Sequence, residues 1–586
     1  MVQNRRKRFA AAAVSAVMLA CTVSGPAPLS AAAEGSVNYG EALKMSLYFY
    51  DSNACGSGVT GGPLTWRGDC HTYDGQASAE GLDGAAKAVV DPDGDGKVDL
   101  DGGYHDAGDH VKFNLTIGFS MSALALSEYL NPGVYQKAGA RGHLEYVLRR
   151  GADFMMKSTF LDSSGTVAAV AGTIADGNVD HGDFLPPEKQ TYQRDVFWLT
   201  AGKNNSAVCC AMAAGIAGTA YITKDTDAAY SAKCVKYAKA LLDFGTTNVG
   251  NNTDGMSFYS TDSMYQDEES IARAWLYVLG EGDKPTRTPN NGDYGGIGDW
   301  DKFTWDKEWQ GYCALMYKAT KEEVFFNELK YEHEKNGLKS TAFKADAGWG
   351  NSRYNCALQM TALALADGDG DSEYAKAAKY QMDYLLDNHS TTYNSYLIGY
   401  GSSWPTHIHH RAAQHLSEGQ SLANNPEVKY TNYGTLVGGP NGANGTDYED
   451  HSDKYQYTEP ALDYNACFAL ACAGLYHIYG GDASAWDSIA AGASEINADF
   501  DFGSSEPVQQ TDEPVQNTDA PPVASTLRGD VDCSGQLEIS DAILLAQFNA
   551  ELVKLSSQGL ANAHMNDDDL VDGDDLIQLL ILLASS

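Results

Sequence analysis

Apolar residues recur three and four apart through most of the chain. This spacing predicts amphipathic helices over Ser120–Leu130, His143–Lys157, Ala207–Ile222, Ala228–Phe244, Ile271–Leu279, Trp309–Thr320, Tyr354–Ala366, Tyr374–Leu386 and Pro460–Tyr479. Long loops rich in Gly, Asp, Asn and Tyr separate them. Alternation with period two, the mark of a half-buried strand, is scarce. From about residue 38 to about residue 502 the pattern predicts one large all-α domain, a toroid whose loops gather on one side to build a groove.

The periodicity then stops. Glu506–Asp512 is nearly repeated as Glu513–Asp519 and is followed by Pro521-Pro522, so residues 503–527 read as an extended spacer. Residues 528–586 form an acidic module of two related halves, each a loop followed by an apolar helix, Ala542–Ala550 and Leu576–Leu583. At the other end, Asn4-Arg5-Arg6-Lys7-Arg8, the apolar stretch from Phe9 to Cys21 and Ala31-Ala32-Ala33 before Glu34 predict a secretory signal peptide over residues 1–33. No other run reads as long and apolar enough to cross a bilayer. The large domain is accordingly assigned to residues 34–502.

Composition narrows the function. The 586 residues are 43% hydrophobic and 10% aromatic, enough for a large core, which excludes global disorder and a collagen-like fibre. Acidic residues number 78 against 40 basic ones, a net charge of −38. Loss of the leader would remove only basic charge. Such a chain is a poor partner for nucleic acid or an anionic membrane. It suits a neutral polysaccharide and bound calcium. Cys209, Cys210, Cys313, Cys356, Cys467 and Cys472 lie in helical stretches and read as small buried hydrophobes. Cys55 and Cys70 lie outside any helical run.

Two distant segments carry the chemistry. Gly102-Gly103-Tyr104-His105-Asp106-Ala107-Gly108-Asp109-His110 sets two carboxylates three residues apart in a Gly-rich loop. Tyr448-x-Asp450-x4-Tyr455-x3-Glu459-x-Ala461-x3-Asn465-Ala466 fits the C-terminal signature of family 9 glycoside hydrolases at every specified position. The segment from Ser395 and Leu397 to His409-His410-Arg411 resembles that family's other signature, departing from it at Ile398 and Ser403. Asn38–Leu43 and Trp66-Arg67-Gly68-Asp69 are similar to the family's opening. The resemblance runs from about residue 36 to about residue 490.

It implies an (α/α)6 barrel that hydrolyses β-1,4-glucan with inversion. Inversion needs one carboxylic acid to protonate the leaving oxygen and one carboxylate to activate a water on the opposite face. By family position Glu459 is the acid, Asp109 the base, and Asp106 helps to hold the water. Pro460 suits a first helical position, which predicts Glu459 at a helix start. A helix N-terminus favours the ionised acid, whereas Asp106, Asp109 and the neighbouring Tyr455, Tyr457 and Tyr464 favour the protonated one. An acid catalyst needs the second influence to win. The same resemblance assigns sugar contacts to His409, Arg411, Tyr464, His181 beside Asp180, and Trp349, Arg353 and Tyr354. It implies a secreted endoglucanase. Processive or exo action, and an inert carbohydrate-binding scaffold component, stand as alternatives.

Metal ligands follow in four places. Cys55, Cys70, His71 and His105 make a Cys2His2 set suited to structural zinc, with a Cys55–Cys70 disulfide or free thiols as the rivals. Ser263, Met264, Asp267 and Glu268 resemble the family's calcium segment, with Asp306 as the distant ligand. Asp91-x-Asp93-x-Asp95-Gly96 reads either as half a calcium loop or as a solvated turn. In the C-terminal module, Asp530, Asp532, Ser534, Glu538 and Asp541 supply oxygens at loop positions 1, 3, 5, 9 and 12, with Gly535 at 6. The second loop is degenerate, with His564 at position 1, Asn566 at 3, Asp568 at 5 and Asp575 at 12. A calcium loop followed by a single helix, twice over, resembles a dockerin. That resemblance implies a cohesin partner on a scaffold protein and a place in a cellulosome.

Overall fold

The computed structural model describes residues 37–503 except 83, 262–263, 288–301, 346–347, 388–392 and 442–444. Beyond the spacer it describes 527–531, 537, 539–549, 562–563, 565, 571 and 573–585. The signal-peptide and spacer assignments fall almost wholly outside the described residues. The chain divides into two compact units, at about residue 508.

In the first unit the helices Asn114–Leu130, Ser206–Thr223, Gln266–Val278, Trp309–Thr320, Asn351–Ala366 and Leu462–Tyr479 each pack on the next, and the last returns to the first. That is a closed ring, the arrangement expected of an α/α barrel. Tyr39–Ser46, Arg141–Lys157, Ala228–Thr247, Glu323–Asn336 and Glu373–Leu386 pack against ring members. Asn114–Leu130, Ser206–Thr223 and Leu462–Tyr479 are apolar nearly all round and correspondingly buried, whereas Gln266–Val278 keeps a polar face. Small residues set the spacing. A Cβ on Gly118 would lie 2.6 Å from the Ala211 backbone, so the first two ring helices meet backbone to backbone. Asn205, Asp227 and Ser372 cap the helices that follow them, each side chain accepting from an amide three residues on.

Helix starts differ from the sequence reading where polar residues interrupt the apolar pattern. The first ring helix begins at Asn114 rather than Ser120, and Tyr39–Ser46 and Glu323–Asn336 were not predicted. Ser206–Thr223 is long and apolar enough to span a membrane by composition, contrary to the sequence reading, but 94% of it is buried inside the ring.

The domain is not purely helical. Val167–Ile174 pairs antiparallel with Lys112–Phe113, Thr159–Leu161 and Val196–Leu199. All but one residue of Val167–Ile174 is buried, so the strand lacks the alternation that would have revealed it. This small sheet fixes the end of the loop that carries Asp106 and Asp109.

In the second unit, Ile539–Asn549 packs on Gly573–Ser585 around Val531, Ala542, Leu545, Ala563, Met565 and Leu579. Asp530, Asp541 and Asp575 are buried. Asp575 accepts from the Met565 amide at 2.6 Å, and Asn562 donates to the Asp530 carbonyl at 2.8 Å. Asp532, Ser534, His564, Asn566 and Asp568 lie outside the described residues.

Candidate active site

The Asp106–Asp109 loop is tied down on every side. The Asp106 amide donates to the Val111 carbonyl at 3.0 Å and the His105 amide to Asn53 at 2.8 Å. Asn53 Nδ2 donates to the carbonyls of His105 and Ala107, and His410 Nε2 donates to Asn53 Oδ1 at 2.8 Å. Lys112, fully buried, donates to the carbonyls of Leu100 and Gly102 and pairs with Asp74 at 2.7 Å. Arg194 shares Asp74 at 3.0 Å and donates to the His110 carbonyl. Gly108 is pressed onto the signature segment. The Arg411 amide donates to its carbonyl at 3.1 Å, and a Cβ there would lie 2.1 Å from the His409 oxygen.

Glu459 reaches the same place from the other end of the chain. It ends the short helix Tyr455–Thr458 in extended conformation and is buried. Pro460 is not a first helical residue. The long helix starts at Leu462, and its first amide donates to the Asp106 carbonyl at 2.9 Å. An orphan helix donor that could have met a side-chain cap thus locks the Glu459 segment to the aspartate loop instead.

Three buried carboxyl groups side by side cannot all ionise. Glu459 is pushed well above the carboxylate range by burial, then by Asp109 and Asp106. Asp106 is also pushed well up, by burial and then by Asp109, although the hydroxyls of Thr116 and Tyr259 donate to it. Asp109 rises to about 6, through burial and then Asp180, with His181 and Arg411 opposing. Its Oδ1 accepts from the Ala107 amide at 3.1 Å. Burial and mutual repulsion thus favour the protonated form at Glu459 and Asp106, with the Thr116 and Tyr259 hydroxyls opposing at Asp106, while Asp109 ionises above about pH 6. The set can give a proton at one atom and take one at another. No spacing in the sequence marked Tyr259, Thr116 or Asn53 as part of this set, because each reaches it from an unremarkable loop or helix position.

The expected sugar contacts divide into two groups. His409, with its pKa lowered to about 4 by burial, is neutral and donates Nδ1–H to the Ser452 carbonyl at 2.7 Å, which makes Nε2 its acceptor. Trp349 and Tyr455 are 47% and 37% exposed with ring centroids 4.9 Å apart, a stacking surface near Glu459. His181 is half-buried against Phe258 and donates Nδ1–H to the Gly177 carbonyl. Tyr464 is buried beneath Gly350, where a Cβ would lie 2.3 Å from its hydroxyl. The two arginines are engaged inside the protein. Arg411, fully buried, pairs with Asp180 at 2.6 Å and lies over Phe184, although its Nε and a terminal nitrogen have no partner. Arg353 pairs with Asp463 at 2.7 Å and donates to the Tyr354 hydroxyl, with its guanidinium over the Tyr464 ring.

The zinc set comes together. Cys55, Cys70, His71 and His105 are all buried, and one donor atom from each falls within 4.8 Å of the others. The two cysteines are unbridged here, and His71 Nδ1 lies 3.1 Å from His105 Nε2. His71 Nε2 is buried without a partner. This donor set fits one tetrahedral ion.

In the expected calcium set of the large domain two acids come together with a third. Asp267 and Glu268 are buried at the start of the Gln266–Val278 helix. Asp306 sits in the Thr304–Lys307 turn, where its Oδ1 accepts from the Thr304 hydroxyl at 2.7 Å. The acid that faces Asp267 is Glu308, whose amide donates to Asp267 Oδ2 at 2.8 Å and whose two carboxylate oxygens are buried without partners. Burial and then Asp267 hold the Glu308 pKa far up. Ser263 lies outside the described residues, whereas Met264, half-buried, adjoins the set.

Comparison with known proteins agrees with this geometry. Residues 39–472 match the family model described as glycosyl hydrolase family 9. Endoglucanase B of Cellulomonas fimi is 31% identical over 484 residues, covering 78% of this chain and 44% of that protein. Endoglucanase A of Bacillus pumilus is 30% identical over 469 residues, covering 76% of this chain and 67% of that protein. The chain thus spans less than half of the first relative. The catalytic domain of Clostridium thermocellum CelT superposes with a TM-score of 0.67 at 34% identity, covering 76% of this chain and 97% of that one. The cellulase Cel9M of C. cellulolyticum in complex with cellobiose gives 0.64 at 30% identity, covering 75% and 98%. With the family match, the closed helical ring and the three converging carboxyl groups in agreement, the chain belongs to glycosyl hydrolase family 9.

Proposed function

We propose that this chain is a secreted endo-β-1,4-glucanase that cleaves cellulose with inversion of the anomeric centre. The observation that carries the reading is the meeting of three buried carboxyl groups, Asp106, Asp109 and Glu459, from the two ends of the domain. Glu459, held protonated, donates to the leaving glycosidic oxygen. Asp109, ionised above about pH 6, takes the proton of the attacking water. Asp106 crowds Asp109 and, held by Thr116 and Tyr259, helps to fix that water. His409, Trp349, Tyr455 and His181 present stacking faces and polar atoms to glucose rings, while Arg411 and Arg353 brace the walls from behind. The relatives named endoglucanase and the cellobiose-bound Cel9M support the substrate class.

The metals are assigned structural roles. Zinc on Cys55, Cys70, His71 and His105 would brace the residue directly before Asp106. Calcium on Asp267, Glu268 and Glu308, with a contribution from Met264 and Ser263, would neutralise buried acid between two ring helices. The second unit acts as a dockerin that takes calcium through Asp530, Asp541 and Asp575 and binds a cohesin, which places the enzyme on a cellulosome. Ile543, Ile577, Leu580 and Ile581 are more than two-fifths exposed on its two helices, an apolar face suited to a protein partner.

The test is release of reducing sugar from a soluble cellulose derivative, with the anomer of the first product read by proton NMR. Parent enzyme should give the α-anomer first, and Glu459→Gln should lose at least about a thousandfold in rate. No release from any β-glucan would favour the inert carbohydrate-binding reading. A β-anomer would overturn inversion.

A further inference from the structure

The strand pair Ala77–Ser78 and Lys97–Val98 leads through Asp99 and Asp101 into the catalytic loop. Just before it, Asp91, Asp93 and Asp95 each turn an oxygen toward one point, and these oxygens lie within 4.8 Å of one another. Three exposed acids in a turn would mean little. Asp91, however, is only 5% exposed, and its Oδ1 is buried without a hydrogen-bond partner. Its Oδ2 accepts from the Gly96 amide at 3.1 Å, which fixes the carboxylate toward the turn. Among the described residues no ion pair involves Asp91, Asp93 or Asp95. Lys97 donates instead to Gln76, and Lys157 pairs with Asp99. A buried carboxylate oxygen facing two more carboxylates with no cation is left uncompensated.

We infer that Asp91, Asp93 and Asp95 form a further calcium site. Calcium binds oxygens at about 2.3–2.6 Å, so ligands that share one ion lie no more than about 5 Å apart, as these do. Gly94 and Gly96 have φ of +75° and +78°, which lets the chain curl around an ion. The remaining positions fall to backbone carbonyls and water, and three carboxylates on a flexible turn suit calcium's larger, looser shell better than magnesium's near-ideal octahedron. The ion fastens the turn that delivers the chain to Asp106 and Asp109. The site depends neither on the zinc set nor on the proposed dockerin.

The experiment uses the full chain. Parent, Asp93→Asn with Asp95→Asn, and Asp91→Asn proteins are stripped with chelator. Each is then brought to equilibrium dialysis with radioactive calcium at about 1 mM in excess magnesium, the range of extracellular calcium modules. The double variant, altered at exposed positions, should bind one calcium fewer per chain than the parent, and so should Asp91→Asn. Amides of residues 91–98 should exchange at least tenfold more slowly with calcium in the parent, and equally with and without it in the double variant. Equal stoichiometry in parent and double variant, or calcium-independent exchange of these amides in the parent, would show a solvated acidic turn and overturn the proposal.

Discussion

Replacing Gly108 by alanine tests whether the two catalytic segments depend on direct backbone contact. The added Cβ would stand 2.1 Å from the His409 carbonyl oxygen and 3.0 Å from its carbon. Ordinary contact needs more than 3 Å, so one backbone must retreat by about 1 Å. Neither segment can do so alone, because the Arg411 amide bonds the Gly108 carbonyl and the Leu462 amide bonds the Asp106 carbonyl. Overpacking of this size costs about 1–3 kcal/mol of stability. A misplacement of about 1 Å in a catalytic group costs about a hundredfold in rate. The expected result is a folded enzyme, melting a few degrees low, with kcat/KM on a soluble cello-oligosaccharide down about a hundredfold. Gly202→Ala is the control, since a Cβ there meets nothing within 4 Å. Full activity in a folded Gly108→Ala enzyme would show that the aspartate loop does not take its position from His409, and the account of the site given above would fail.

Burial and Asp180 raise Asp109 to about 6 from an ordinary value of 3.8, so the folded state binds the proton more tightly than the unfolded chain. Stability from this group is fully present below about pH 4 and is lost as pH rises through about 6. Asp109→Asn should therefore stabilise the protein at pH 7, by an upper bound of about 3 kcal/mol, and leave it unchanged at pH 3.5, as denaturant titrations at the two values would show. In the parent, kcat/KM should fall as pH drops through about 6, because the base then takes up its proton. Cys70→Ser should reduce zinc, measured by elemental analysis, from about one per chain to none, and lower the melting temperature. Asp530→Ala should abolish calcium-dependent capture by an immobilised cohesin while glucanase activity on soluble substrate stays unchanged.

The parts legible in the sequence were those in which local spacing carries the information. Helical periodicity announced the ring, and Asp106, Asp109 and Glu459 lie in segments whose residue order is itself distinctive. The cysteines in helical stretches proved to be fully buried hydrophobes. What escaped was set by contact between distant residues. Val167–Ile174 is buried on both faces and so looks like any apolar run. The Thr304–Lys307 turn, which takes up Asp306 while Glu308 is buried against Asp267, left no local mark either. Asp180 and Asp463 gave no sign that each would pair with a buried arginine.

Glu459 shows the same limit from the chemical side. Its sequence context, followed by Pro460, suggested a helix start, where the dipole would favour the wrong protonation state for an acid. The chain avoids that conflict by staying extended through Ala461 and starting the helix at Leu462. The helix N-terminus is then spent on the Asp106 carbonyl rather than on the Glu459 carboxylate. Burial and the two aspartates push the Glu459 pKa well up, against Arg411 and the Gly108 amide, which favours the proton that an acid must hold. One backbone hydrogen bond, Leu462 to Asp106, thus brings acid and base segments together.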